Sequence, residues 1–149
     1  MKKIILLALL AGLTTTTLKA QDYNWGAGVR VGGAATGINF KTFVSGADAI
    51  EALLSFQRGV NFYALYERNV PMNAKGLNFY YGAGGNIGNW EKKHHEDKFT
   101  IGIDGVVGME YKIENAPIVL GVDYKPCLNI IGRTGFKWYD FGFNVRVVF

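Results

Sequence analysis

The chain has 149 residues, of which 49% are hydrophobic and 14% aromatic, and its 16 basic and 12 acidic side chains give a formal net charge of +4. The length fits a single domain, and the single cysteine, Cys127, excludes the class of small secreted scaffolds held together by internal disulfides. Three basic residues lie among the first twenty, so the rest carries 13 basic against 12 acidic residues, a net charge of +1. This near-neutral remainder is not expected to bind nucleic acid.

The first twenty residues predict a cleavable secretory signal peptide. Lys2 and Lys3 precede an apolar stretch at residues 4–13, which is followed by four threonines and a short segment ending at Ala20. The apolar stretch is shorter than the ~20 residues that a membrane-spanning helix requires. We therefore expect cleavage after Ala20, with residues 1–20 as the signal peptide and residues 21–149 as the exported domain.

Beyond residue 24, apolar and polar residues alternate with a period of two in eight segments that glycine-rich or polar turns separate. Such alternation is typical of antiparallel strands joined by short loops. The third segment is the least distinctive, because residues 47–54 would also suit a helical turn. No later segment carries the ~18 unbroken apolar residues of a membrane helix, so strands would have to make any crossing. The predicted strands are 25–33, 37–44, 48–57, 60–68, 76–90, 99–113, 117–131 and 138–149.

The last predicted strand alternates strictly. One face carries the aromatic side chains Tyr139, Phe141, Phe143 and Phe149, and the other carries small, polar and charged residues. This is the pattern of the closing strand of a transmembrane barrel, in which lipid contacts one face and a polar interior the other. A soluble sheet with an apolar core would show the same alternation.

Charged residues recur on one face of nearly every predicted strand. The interior of an eight-stranded barrel has room for side chains only, so charges placed there lose their water and each requires a partner. Cys127 is expected to face the same interior as a small buried side chain. The positions predicted to form an ion network that fills the lumen are Arg30, Lys41, Glu51, Glu67, Asp104, Glu110, Lys112, Asp123, Lys125, Asp140 and Arg146.

Two longer connections, 89–98 and 132–137, fall on one side of the predicted barrel, whereas tight turns at 45–47 and 114–116 and a longer turn at 69–75 fall on the other. The adjacent residues His94 and His95 in the connection 89–98 could bind a transition metal, but the spacing of the sequence supplies no third ligand. We therefore predict that this connection is a solvated loop, with no metal or cofactor. Its lysines could contact phosphate groups of lipopolysaccharide. The residues predicted to make extracellular contacts are Trp90, Lys92, Lys93, His94, His95, Lys98 and Arg133.

On these features the chain resembles the small OmpA/OmpX-type barrels of the outer membrane protein β-barrel domain family. The residues that carry the resemblance are the signal peptide, the glycine-rich segment 81–85, the strand centres Gly-Ile-Asp-Gly and Gly-Val-Asp-Tyr, and the closing Phe149. The resemblance implies an all-β, eight-stranded, antiparallel up-and-down transmembrane β-barrel, monomeric, in the outer membrane of a Gram-negative envelope. Its implied partners are outer-membrane lipid, lipopolysaccharide and the barrel assembly machinery, which would recognise Tyr139, Phe141, Phe143 and Phe149.

The sequence favours a structural or surface-interaction role, with an unidentified extracellular ligand, over catalysis. Small barrels that modify lipid A carry a histidine with serine or acidic partners, but Ser45 and Ser55 lie far along this chain from His94, so we predict no enzyme. One alternative is a narrow, porin-like channel. Another is a soluble periplasmic lipid-binding calyx, in which the apolar residues would face inward and the charges would face water.

Overall fold

The structure, a computed structural model, describes residues 23–57, 59–90, 98–132 and 134–149. The predicted signal peptide and residues 91–97 lie outside the described residues. The described part is all-β. Its strands are β1 (Trp25–Gly32), β2 (Gly37–Ser45), β3 (Asp48–Ser55), β4 (Asn61–Pro71), β5 (Leu77–Trp90), β6 (Lys98–Lys112), β7 (Ile118–Tyr124), β8 (Cys127–Ile131), β9 (Gly135–Lys137) and β10 (Phe141–Val148).

The strands close into an eight-stranded antiparallel barrel, as predicted. The hydrogen-bonded order runs β1, β2, β3, β4, β5, β6, β7, β10, and β10 pairs back onto β1. Strands β7 and β8 both pair with β6, one after the other along its length. The short strand β9 pairs with β8. The ring therefore has eight positions although the chain forms ten strands. In the ranges given above, no helix has the length and apolarity needed to cross a bilayer.

The predicted strand 117–131 is wrong in its continuity, and the predicted strand 138–149 begins three residues later than expected. Strand β7 ends at Tyr124 and β8 begins at Cys127, because Pro126 has no amide hydrogen and a fixed φ. The Lys125 amide donates to the Asp140 carbonyl (2.8 Å) beside this interruption. The last strand accordingly begins at Phe141, and β9 lies where the sequence predicted an outer connection.

The remaining boundaries differ from prediction by a few residues. The third segment is a strand, β3, and its ladder with β2 begins beyond a tight turn in which Gly46 adopts a φ of +52°. Strand β4 continues to Pro71, so the turn that follows it, 72–76, begins three residues later than predicted. The turns at this end of the barrel have five residues or fewer, but the described turn 33–36 at the opposite end is equally short and residues 91–97 are not described, so the predicted alternation of loop lengths stays a prediction.

The two ends of the barrel are called the base and the top. The base is the end at which Tyr23, Phe149 and the turns 46–47, 72–76 and 113–117 lie. The top is the opposite end, where the turn 33–36, the bridge between Gln57 and Gly59, and Gly132 lie.

The distribution of polarity is inverted relative to that of a water-soluble protein. Nineteen polar or charged side chains are buried in the described part, against twelve apolar ones. Among the side chains that the structure describes, thirty large apolar ones are at least 37% exposed, and they occur on every strand of the eight-membered ring. Monomeric soluble proteins rarely expose continuous apolar surfaces of this extent.

Two inward glycines make room for large interior side chains. A Cβ added at Gly142 would lie 2.5 Å from Cζ of Arg30, and one at Gly108 would lie 2.6 Å from the Tyr80 ring. The glycines Gly82 and Gly84 of β5 differ, because the nearest atoms there belong to the backbone of β4. At both Gly82 and Gly84 a Cβ would collide with a carbonyl of that strand.

Candidate functional site

The interior holds two groups of charged side chains. The group nearer the base, called the base cluster, consists of Lys41, Glu51, Glu67, Glu110 and Arg146, and each of these side chains is at most 5% exposed. Arg146 lies 2.5 Å from Glu51 and 3.1 Å from Glu110. Lys41 lies 3.1 Å from Glu110 and 2.9 Å from Oε2 of Glu67, the latter without hydrogen-bond geometry. Two cations thus face three carboxylates.

Aromatic and amide groups complete the base cluster. Asn69 accepts a hydrogen bond from Nζ of Lys41 (2.9 Å), and the same ammonium lies 4.3 Å from the Tyr80 ring centroid. Tyr23, which precedes β1, donates its hydroxyl to Glu110 (3.1 Å). Burial, and after it the Glu110 carboxylate, raises the pKa of Tyr23 well above its ordinary value, so the hydroxyl stays a neutral donor.

The second group, called the top cluster, consists of Arg30, Asp104, Asp123, Lys125 and Asp140. Arg30 pairs with Asp123 (2.5 Å) and Asp140 (3.2 Å), and Lys125 lies 3.5 Å from Asp140. All five are at most 7% exposed. Here too, two cations face three carboxylates.

Two asparagines join the clusters into one column. Nδ2 of Asn144 donates to Asp123 (2.5 Å), and Oδ1 of Asn144 accepts from Asn39 (3.0 Å). Asn39 in turn donates to Glu51 of the base cluster (3.3 Å). The polar interior is therefore continuous from Tyr23 at the base to the top cluster. Within the described residues, Oδ1 of Asn39 and Nε of Arg146 are buried in this column without a hydrogen-bond partner.

The turn 33–36 folds into the top of the barrel. Ala35 is fully buried and packs against Leu53 and Tyr63. Its carbonyl accepts from Nη1 of Arg30 (2.5 Å), and the Ala34 amide donates to Asp140 (2.9 Å). The top cluster thus fixes a short loop across the barrel interior, a feature that the sequence did not reveal.

Beside the top cluster lies a small group of polar side chains from β5, β6 and β8. Nδ2 of Asn86 donates to Oδ2 of Asp104 (2.7 Å) and to Sγ of Cys127 (3.2 Å). The Cys127 thiol contacts Oδ1 of Asn129 (3.1 Å). The thiol is buried, as the sequence predicted.

Ten of the eleven positions assigned to the lumen from sequence are buried together in these two clusters. Lys112 is the exception. It is only partly buried, at the end of β6, where it lines a shallow depression at the base with Tyr23, Glu114 and Phe149. The alternation that places it on the inward face continues, but the strand reaches the end of the barrel at this residue.

The structure describes the residues of the predicted closing strand, but it does not describe the side chains predicted to make outer contacts. Lys92, Lys93, His94, His95 and Arg133 lie outside the described residues, as do the side chains of Trp90 and Lys98. Tyr139, Phe141, Phe143 and Phe149 are 39, 64, 47 and 60% exposed on the barrel exterior. Phe149 stacks on Trp25 at the base, with ring centroids 4.4 Å apart.

Sequence reasoning missed several interior residues that have no charge. Tyr63, Tyr80 and Asn144 are at most 4% exposed and contact the charged groups directly. Their inward position follows from strand alternation, but only charged residues were used to identify the lumen. Comparison with protein-family models, with curated proteins and with solved structures found no match.

Proposed function

We propose that this protein is an integral outer-membrane β-barrel with a structural or surface-interaction role and an interior closed by its ion network. The observation that carries the proposal is the inverted polarity of the barrel, with charged side chains inside and large apolar side chains around the full circumference. A bilayer solvates such an exterior, and each strand of the closed ring of β1–β7 and β10 pairs with a neighbour on both sides.

The aromatic side chains on the exterior support this location. Trp25 and Phe149 form a stacked pair at the base, and Trp138 and Tyr139 lie at the top with ring centroids 6.2 Å apart. Membrane barrels concentrate aromatic rings at the two interfaces, where an apolar body and a polar tip are both accommodated. The outer-membrane lipid and lipopolysaccharide are thus the proposed surroundings, and the exposed face of β10 the proposed contact for the assembly machinery.

The interior argues against the two other functions that the sequence left open. A narrow channel needs a hydrated path, whereas Arg30 and Arg146 lie across the lumen, fully buried and paired to carboxylates. A lipid-binding calyx needs an apolar cavity, whereas the described interior is dominated by charged and amide groups. The interior therefore fits a closed barrel whose function lies at its surface.

Membrane fractionation of the expressed protein, followed by gel migration of the outer-membrane fraction with and without boiling, tests the proposal. A folded barrel resists detergent until it is heated, so we expect a membrane-bound species whose mobility changes on boiling. Purified protein in planar bilayers is expected to give no stable conductance. A protein that stays soluble without detergent and does not change mobility would contradict the proposal.

A further inference from the structure

We propose that Arg68 and Asp48, on the barrel exterior near the base, bind the headgroup of a zwitterionic phospholipid of the phosphatidylethanolamine class. The guanidinium binds the phosphate, the carboxylate binds the primary ammonium, and one acyl chain lies in an apolar groove on the same face. The inference rests on the proposed membrane location and names the lipid that this surface selects.

A charged pair interrupts the apolar exterior near the base. Among the outward side chains that the structure describes on β1–β7 and β10, only Asp48 and Arg68 are charged. They are direct cross-strand partners, and the exposed fractions of their side chains are 22 and 50%. Tyr66, which is 53% exposed beside them, donates its hydroxyl to Asp48. Outward charges are costly within the hydrocarbon and cost little at its interfaces, so the pair marks the level of the lipid headgroups.

The pair keeps hydrogen-bonding capacity for a ligand. Nη1 of Arg68 lies 3.6 Å from Oδ1 of Asp48, a separation too long for a hydrogen bond. A guanidinium presents five donors in a planar fork that matches two phosphate oxygens, and a carboxylate accepts hydrogen bonds from an ammonium. The pair has no net charge. It therefore complements a headgroup that carries both a phosphate and an ammonium better than one with a net negative charge.

An apolar groove of about 290 Å³ opens on the exterior across β5, β6, β7 and β10. The rings of Tyr124 and Phe141 stand together at its upper end, with centroids 4.8 Å apart. A groove with such walls on the lipid face suits a hydrocarbon chain. The apolar and aromatic side chains that line it are Phe79, Val107, Met109, Val122, Tyr124 and Phe141.

The charged pair and the groove lie on one row of cross-strand partners. The row that begins at Arg68 continues through Tyr81, Val107, Tyr124 and Phe141. Neighbouring strands are about 4.8 Å apart, so these four steps span about 19 Å, and a strand tilt of about 40° makes the row rise about 12 Å from the base. One acyl chain covers about 15 Å of a hydrocarbon core that is about 30 Å thick. A lipid held at Arg68 can therefore lay one chain along the groove.

Native mass spectrometry of the purified barrel in detergent tests the inference. The barrel is incubated with equal amounts of phosphatidylethanolamine, phosphatidylcholine and phosphatidylglycerol that carry the same acyl chains. The choline headgroup has no N–H to donate, and the glycerol headgroup has no ammonium. We expect one phosphatidylethanolamine per barrel, retained roughly fivefold or more above either competitor, which is the ratio that one additional charged contact supplies.

Four variants separate the headgroup from the groove. Arg68→Gln should lower retention of phosphatidylethanolamine to the level of the competitors. Asp48→Asn should remove the preference over phosphatidylcholine and, because the site then carries a positive charge, favour phosphatidylglycerol. Val122→Trp fills the groove and should lower retention although both charged residues remain. Lys75→Gln removes another exposed cation of the base, which pairs with Glu114 at 3.4 Å, and as the matched control should leave the selectivity unchanged.

The boiling-dependent mobility of each variant shows whether it has folded. A heat-modifiable wild-type barrel that retains the three lipids equally would overturn the inference and leave the proposed function standing. A folded Arg68→Gln or Asp48→Asn barrel with the selectivity of the wild type would do the same. A protein that is soluble without detergent and does not change mobility would overturn the proposed function and this inference together.

Discussion

Removing the guanidinium of Arg146 tests the base cluster most severely. The side chain is fully buried, and its two terminal nitrogens contact Glu51 at 2.5 Å and Glu110 at 3.1 Å. In Arg146→Met, Glu110 keeps Lys41 and Tyr23, whereas Glu51 keeps, among the described residues, only the amide of Asn39. One cation would then face three carboxylates.

Breaking a buried ion pair by removing one partner costs about 3–5 kcal/mol, because the remaining charge stays buried without compensation. We therefore expect Arg146→Met to lower the free energy of unfolding by about that amount, or roughly 10²- to 10⁴-fold in the folding equilibrium. Urea titration of the barrel refolded in lipid vesicles, followed by tryptophan fluorescence and by gel mobility, measures it. The double variant Arg146→Met with Glu51→Gln should recover part of the loss, since the stranded carboxylate is neutralised.

The matched control is Arg68→Met. Arg68 pairs with Asp48 on the exterior at 3.6 Å, and its side chain is 50% exposed. Exposed ion pairs contribute about 0–1 kcal/mol, so this variant should unfold close to the wild type. If Arg146→Met and Arg68→Met lowered stability equally, or if Glu51→Gln made the double variant worse, the interior would not be the desolvated ion network described above.

Three further predictions concern packing, the exterior and the base. Gly142→Ala should cost about 1–3 kcal/mol, because the new methyl group meets the guanidinium of the top cluster, whereas Gly135→Ala, with open space around it, should cost less than about 1 kcal/mol in the same urea titration. Ile103→Arg should destabilise the barrel in vesicles by about 2–4 kcal/mol, since its side chain is 54% exposed on the proposed lipid face, and equal stability of the two proteins in lipid would count against that face. Tyr23 has a raised pKa, so its neutral form stabilises the fold below about pH 10 and that contribution declines above it. Tyr23→Phe should abolish this loss of stability at alkaline pH when the free energy of unfolding is measured across a pH series. At neutral pH it should lower that free energy by about 1–2 kcal/mol, because the hydrogen bond to Glu110 is lost. If the variant lost stability at alkaline pH as the wild type does, Tyr23 would not be the group that titrates.

The barrel itself was largely predictable because strand geometry has an exact period of two. Once a segment is a strand, every second residue faces the same side, so Asp104, Asp123 and Arg146 could be assigned inward from sequence alone. The closed ring follows from eight such segments joined by short turns. Lys112 departs from the pattern because alternation gives the direction of a side chain and does not give the height at which the barrel ends.

The pairing within the lumen could not be predicted. Arg30 finds Asp123 and Asp140, which lie 93 and 110 positions away along the chain, and this depends on the stagger of the closed sheet. The interruption at Pro126 could have been suspected from the missing amide hydrogen. The inward turn 33–36 could not, because its carbonyl and amide are held by side chains from distant strands.

The central claim, that apolar side chains face lipid around a charged interior, is tested most directly by spin-label accessibility. Single cysteines introduced at Ile38, Ile103 and Val122 in a Cys127→Ser background would carry nitroxides on three different strands, at positions 53–54% exposed. In vesicles, the account predicts that all three labels relax strongly with dissolved oxygen and weakly with a water-soluble nickel chelate. Labels that relax mainly with the nickel chelate would place this face in water and contradict the account.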